Sequence, residues 1–412
     1  TRCSRDWSSD VCSSDLESWK IAPSERQAEL ELSRSEHIYG FGDKRLALDQ
    51  RGNVLQLVNR DAFASENNES YKNIPFFLSS AGYALFLHNL YPSTFDVGAQ
   101  SRDRIRITPS GGDLDFFFFG SGSSTTNLSL YTELTGRPAL PPRWFFGFHQ
   151  SRASYEKREG YEVAKTLREK KLPVDAIYYD DWDDYVATKR GVDEFWNKYR
   201  IHLTMGTNPF VIGEGPQMSV MTRKRFTLVD QHGSPVIEPA AEIADDQSGK
   251  SDLTAYVDFF NPAAVKEYHK AELARAYRDG VVLGMADFGE MDHLEDPAHR
   301  HWPSVSAPVS EMRNYFGLAY TSAMVNSYQA ISGKRPSGMV RPGGPGSQRL
   351  GWSTTGDSLP SYQNFAHHLR GLLNLSLTGF SNVGYDIGGW DNKGEDILYA
   401  RWFAAGTFNP FM

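Results

Sequence analysis

The run Val281-Val-Leu-Gly-Met-Ala286 constrains this chain more than any other feature. An apolar stretch of this length, without polar alternation, reads as a strand buried in a parallel sheet. It stops at Asp287, with Glu290 close behind, where a buried carboxylate is costly unless something requires it. Barrels of parallel strands place reacting groups at the C-terminal ends of their strands. A second such place follows in Met339-Val-Arg341, a glycine-rich stretch, Gln348-Arg349 and then Gly356-Asp357.

Periodicity divides the rest of the chain. Residues 17 to about 130 alternate apolar and polar in short runs, such as Tyr83-Ala-Leu-Phe-Leu-His88 and Asp113-Leu-Asp-Phe-Phe-Phe-Phe119, between Gly, Ser and Asn turns. This is a β-sandwich pattern, assigned to 17–135. Gly120 to Thr126 reads as a turn-rich break, and Arg137-Pro-Ala-Leu-Pro-Pro142 as a stiff connector.

From Phe145, strands alternate with helices, so the fold class is α/β. Phe145–His149, Val174–Tyr179 and His202–Val211 read as the first three strands, with a charged helix over Tyr155–Lys171. Residues 213–255 break the rhythm and read as an insertion. A helix over Ala263–Arg278, with Pro262 at its start, leads into the strand that delivers Asp287. Tyr315–Ile331 is a helix, Gly338–Val340 a strand, and Asn364–Thr378 a helix running into a strand that ends near Asp386.

Residues 1–16, including Asp6-Trp-Ser-Ser-Asp-Val-Cys-Ser-Ser-Asp-Leu16, have neither an apolar core nor a periodic pattern. They read as a translated sequencing adapter and are set aside. Both cysteines, Cys3 and Cys12, lie there, so no disulfide or thiolate metal site is expected beyond them. A net charge of −8 without a basic block argues against a nucleic-acid partner. No apolar stretch is long enough to span a bilayer, and compartment and oligomeric state stay open. The substrate should be neutral, or bind by hydrogen bonds and aromatic faces.

Two carboxylates at two strand ends suit glycoside hydrolysis, in which one attacks or stabilises the anomeric carbon and the other protonates the leaving oxygen. Their company is specific. Tyr39-Gly-Phe-Gly-Asp43, Asn73-Ile-Pro-Phe-Phe-Leu78, Tyr178-Tyr-Asp180, Asn208-Pro209, Asp258-Phe-Phe-Asn-Pro262, Ala286-Asp-Phe-Gly-Glu290, the block from Arg341 to Asp357, and Tyr385-Asp-Ile-Gly-Gly389 occur in that order. The ordered set resembles glycoside hydrolase family 31, the retaining α-glycosidases.

The resemblance implies a (β/α)8 TIM barrel over 136–412 preceded by the N-terminal β-sandwich, with the barrel truncated at its C-terminal end. It also implies Asp287 as nucleophile, Asp357 as general acid/base, and Asp180, Arg341 and Asp386 as contacts to sugar hydroxyls, with an ion pair to Asp287 or Glu290 as the other, compatible reading of Arg341. No cofactor or metal is implied. His293, His299 and His301 with Asp292 and Asp296 match no standard ligand spacing, and Gly343-Gly-Pro-Gly346 lacks the lysine of a phosphate loop. That glycine stretch reads instead as backbone passing close to substrate.

Further binding candidates are Glu290, which orients the nucleophile or an arginine, Tyr385, Trp352, and Asp61 on a sandwich loop. Trp182, Trp352 and Trp390 are read in strand-end loops as candidate stacking surfaces, with packing between loops as the other reading. A retaining pair should lie roughly 5 to 5.5 Å apart. Thr354, Tyr385, Gly206 and Met285 depart from the family's usual residues around the first sugar subsite. α-Galactose, N-acetyl-α-galactosamine and sulfoquinovose therefore join α-glucose and α-xylose as candidate sugars. A transglycosylase with the same pair, and a carbohydrate-binding protein without activity, are the other readings.

Overall fold

The computed structural model describes residues 2–3, 20–22, 26–63, 68–152, 155, 158–179, 188–239, 253–270, 272–292, 294, 300–335, 338–390 and 394–412. The N-terminal part is a sandwich of two five-stranded antiparallel sheets. One runs Arg2–Cys3, Phe116–Phe119, Ala84–Leu87, Asn73–Ser79, Ile38–Gly42; the other runs Lys20–Ala22, Gln27–Glu31, Arg104–Pro109, Ser93–Val97, Val54–Leu57.

Strand Arg104–Pro109 alternates buried and half-buried residues, as a sheet with one solvated face should. Strand Asn73–Ser79 is buried along its whole length. Phe77 faces the sandwich core with Phe41, Phe95 and Ile107. Ile74, Phe76 and Leu78 face the other way, against Tyr131, Leu372, Leu375 and Trp402. This sheet is therefore covered on its second face by helices, two of which belong to the barrel.

One of those covering helices overturns a sequence reading. The turn-rich break at Gly120–Thr126 contains the start of a helix, Ser124–Thr135. The Ser123 side chain accepts a hydrogen bond from the Thr126 amide, so the Ser/Thr cluster is a cap, not a loop.

The C-terminal part is a TIM-barrel domain built on seven parallel strands in chain order: His149–Arg152, Ala176–Tyr179, His202–Thr207, Val282–Ala286, Met339–Val340, Trp352–Thr354 and Val383–Gly384. The His149 amide donates to the Met412 carbonyl at 3.0 Å, so the last residues reach the first strand.

Several boundaries differ from the sequence reading. Arg143–Phe146 is a 3-10 turn after Pro141-Pro142, and the first strand begins only at His149. The third strand ends at Thr207. Phe210–Ile212 turns away to pair antiparallel with Leu253–Tyr256, which also pairs with Glu238–Pro239. The helix before the fourth strand is two pieces, Pro262–His269 and Glu272–Asp279. Finally, Gly343-Gly-Pro-Gly346 approaches the sandwich edge. Gly343 bridges to Lys72, and its carbonyl accepts from the Asn59 side chain at 2.8 Å.

Candidate active site

Side chains alternate along a strand, so Met285 and Asp287 share one face. Met285 packs on the barrel's lower aromatic cluster of Phe145, Met339, Trp352 and Phe411. Asp287, two residues further on, rises above it, and its amide donates to the Thr207 carbonyl at 3.0 Å. The chain then bends sharply: Phe288 has φ of 51° and Met291 of 66°, conformations sparse for bulky residues. This bend brings Glu290 back beneath Asp287, toward Arg341.

Arg341 is the centre of the site. It follows strand Met339–Val340, is 1% exposed, and lies among four carboxylates. Its Nε is 2.7 Å from Asp287 Oδ1, Nη2 is 3.2 Å from Glu290 Oε2 and 3.4 Å from Asp61 Oδ2, and Nη1 is 3.1 Å from Asp357 Oδ2. A planar guanidinium can engage several acids in one plane, which a lysine ammonium cannot. The rings of Phe288 and Tyr71 lie against it, with their centres 4.6 and 5.0 Å from its Cζ.

The four acids differ in depth. Side-chain exposure falls from 21% at Asp357 and 17% at Asp61 to 8% at Asp287 and 2% at Glu290. Asp357 and Asp61 thus border the opening, Asp287 lies deeper, and Glu290 is sealed. Burial pushes the Glu290 carboxyl up to about 7 against the opposing pull of Arg341. Asp357 is also raised, by burial first and then by the Asp61 charge, while Arg341 and Arg45 act the other way. One side of Asp357 is open and the rest lies against dense protein, which reconciles its partial exposure with that shift.

Asp61 reaches this group from the sandwich. Tyr71 donates to its Oδ1 at 2.9 Å, and its backbone amide is held by Asp292. Asp292 is in turn paired with Arg313 at 2.7 Å and Arg60 at 3.1 Å. Tyr71 had no signal in the sequence. It sits more than two hundred residues from Arg341 and meets it only because the sandwich edge docks on the barrel.

Two sequence candidates lie elsewhere. Trp352 is fully buried at the start of its strand, 5.5 Å from Phe145 and 5.2 Å from Phe411 between ring centres. It belongs to the barrel floor, on the opposite end of the strand from Asp357. Tyr385 is buried against Trp402 at 5.9 Å and His368 at 6.4 Å, facing the outer helices. Its neighbour Asp386 follows strand Val383–Gly384 and is half-buried. Trp390 is 46% exposed and stands edge-on to Phe63. Asp180, Trp182, His293 and His299 lie outside the described residues, among which no cluster of His, Cys, Asp and Glu could hold a metal.

Comparison with known proteins agrees with this architecture. Residues 138–412 match the glycosyl hydrolases family 31 TIM-barrel domain, and residues 16–96 match the glycosyl hydrolase 31 N-terminal galactose mutarotase-like domain. Alpha-glucosidase 2 of Bacillus thermoamyloliquefaciens is 28% identical over 92% of this chain and 50% of its own length. An alpha-xylosidase of Emericella nidulans is 26% identical over 93% of this chain and 49% of its own. The chain thus spans about half the length of these relatives. A Flavobacterium johnsoniae dextranase structure complexed with glucose superimposes with a TM-score of 0.84 at 23% identity, covering 96% of this chain and 51% of that one. With two successive domains matched in order, the larger spanning most of the chain, this protein belongs to glycosyl hydrolase family 31.

Proposed function

We propose that the protein releases a terminal α-linked sugar by double displacement. The carrying observation is that Asp287 and Asp357, 70 positions apart in the chain, engage one guanidinium, that of Arg341. Asp287 attacks the anomeric carbon, its carboxylate forming a covalent bond to the sugar as the glycosidic bond breaks. Asp357 gives its proton to the departing oxygen, then takes one from the incoming water, whose oxygen bonds to the anomeric carbon as the bond to Asp287 breaks and the carboxylate is restored. The raised affinity of Asp357 for its proton suits the first of these steps. Glu290 holds Arg341 from below, and Asp386 and Asp180 are assigned to sugar hydroxyls. The Asp61 loop, laid over the site from the sandwich, suits a pocket for a chain end rather than an open cleft.

Relatives named α-glucosidase and α-xylosidase put α-glucosides and α-xylosides first. Tyr385 and Met285, two of the substitutions that widened the choice of sugar, face the outer helices and the barrel floor. α-Galactosides and N-acetyl-α-galactosaminides come second, and sulfoquinovosides third. The test is a panel of aryl α-glycosides offered to the full-length protein, with the first-formed product followed by NMR. The α-anomer should appear first; initial release of the β-anomer would show inversion and remove the double displacement. Activity should fall as pH rises through the Asp357 pKa, because the acid must enter protonated, and Asp357→Asn should abolish that alkaline limb. Accumulation of oligosaccharides with excess acceptor would favour a transglycosylase, and loss of nothing in Asp287→Asn would favour a binding protein.

A further inference from the structure

The acid/base turn takes its backbone partners from the other domain. Lys72 Nζ donates to the carbonyl of Thr354 at 2.6 Å and to that of Arg341 at 2.5 Å. Arg45 Nη2 donates to the carbonyls of Thr355 at 3.0 Å and Asp357 at 3.3 Å, while its Nη1 donates to Ala62 at 2.6 Å, beside Asp61. Both cations are buried, Lys72 at 0% and Arg45 at 2% exposure. The Tyr71 ring lies against Gly356, where an added Cβ would stand 2.2 Å from it at a φ of +73°. Lys72 is itself fixed, because its amide donates to Asp43 Oδ1 at 2.9 Å and Asp43 returns a bond to its carbonyl.

A buried cation is costly, and a strut made of a methionine or leucine would pack the same space. What a cation adds is directed, charge-assisted hydrogen bonding, about twice as strong as a neutral bond. Here those bonds go to the main-chain carbonyls of Thr354, Thr355 and the proposed proton donor Asp357 itself, and to the carbonyl of the arginine that touches it. Resting on the function proposed above, we infer that Arg45 and Lys72 of the sandwich are positioning residues for Asp357. They fix the turn that aims its carboxyl at the leaving oxygen, and neither touches the sugar.

Positioning of the acid is read from the dependence of kcat/KM on the leaving group, since kcat/KM reports only steps through glycosyl transfer to the enzyme. A 2,4-dinitrophenyl glycoside departs without protonation, whereas a methyl glycoside or a disaccharide needs the proton. In the full-length protein, Arg45→Met and Lys72→Met should lower kcat/KM for the alkyl substrate on the order of tenfold to a hundredfold, part of what general acid catalysis supplies. For the dinitrophenyl substrate the loss should stay within about threefold. Arg45→Lys keeps the charge without the fork and should fall between. If the methionine variants do not fold, Arg45→Lys and Lys72→Arg carry the same test, and their losses should show the same dependence on leaving group.

Equal losses on both substrates, or no loss on either, would overturn the inference. Asp357→Asn in the same assay separates the two readings. If it shows the leaving-group dependence and the Arg45 and Lys72 variants do not, only the positioning role fails. If Asp357→Asn shows none, the assignment of the acid fails with it.

Discussion

Met285 and Asp287 stand two residues apart on one strand, and so do Trp352 and Thr354, yet their surroundings belong to different kinds of protein interior. Below, Phe145 stacks on Trp352 and Phe411, with Met339 packed in the same apolar cluster. Above, Arg341 gathers four carboxylates that its single charge cannot neutralise. The floor is organised for packing, where every buried atom contributes stability. The mouth collects groups whose burial is unfavourable, which is where a fold places chemistry. Strand length sets how close these regimes come, because Met285 lies two residues before Asp287 and Met339 lies two residues before Arg341.

If this division holds, substitutions at the two levels should separate activity from stability. Asp287→Asn should reduce turnover of an α-glycoside by on the order of ten-thousandfold or more, as loss of a nucleophile does, without lowering the melting temperature. A fall of several degrees would mean that Asp287 is structural. Trp352→Ala should do the reverse: roughly 3 to 5 kcal/mol of stability lost by chemical denaturation, with activity persisting at temperatures where the variant remains folded. A selective rise in KM would instead return Trp352 to the sugar site.

The smallest effect concerns Glu290. Its carboxyl is raised from 4.5 to about 7 in the folded protein, so the native state holds a proton that the unfolded chain releases earlier. That contribution to stability is full below about 4.5 and is lost as pH rises through about 7. Glu290→Gln should therefore flatten the decline in stability over that window. An unchanged slope would show that Arg341 keeps Glu290 ionised throughout.

The division also explains what the sequence made legible. The Val281–Ala286 run fixed a strand, and Asp287 at its end stood out because nothing else in that segment was charged. Asp357 was found only through the ordered motifs, because the three-residue strand before it, Trp352–Thr354, carries no apolar run. Trp352 was misplaced because so short a strand hides which end a residue occupies. Tyr385 was misplaced because alternation after a two-residue strand gives no way to tell inward from outward. Ser123 and Ser124 read as loop because cap and turn use the same residues. Arg45, Tyr71 and Lys72 carried no signal at all, since polar residues flanking a strand are ordinary until the fold shows what lies opposite.

Lys72 and Thr354 are 282 positions apart, and Arg45 and Asp357 are 312. Contacts so distant along the chain form late, after each domain has collapsed on its own local pairings. A barrel expressed by itself would present the Thr354, Thr355 and Asp357 carbonyls to water, so cutting this protein at its domain junction would divide a single working unit.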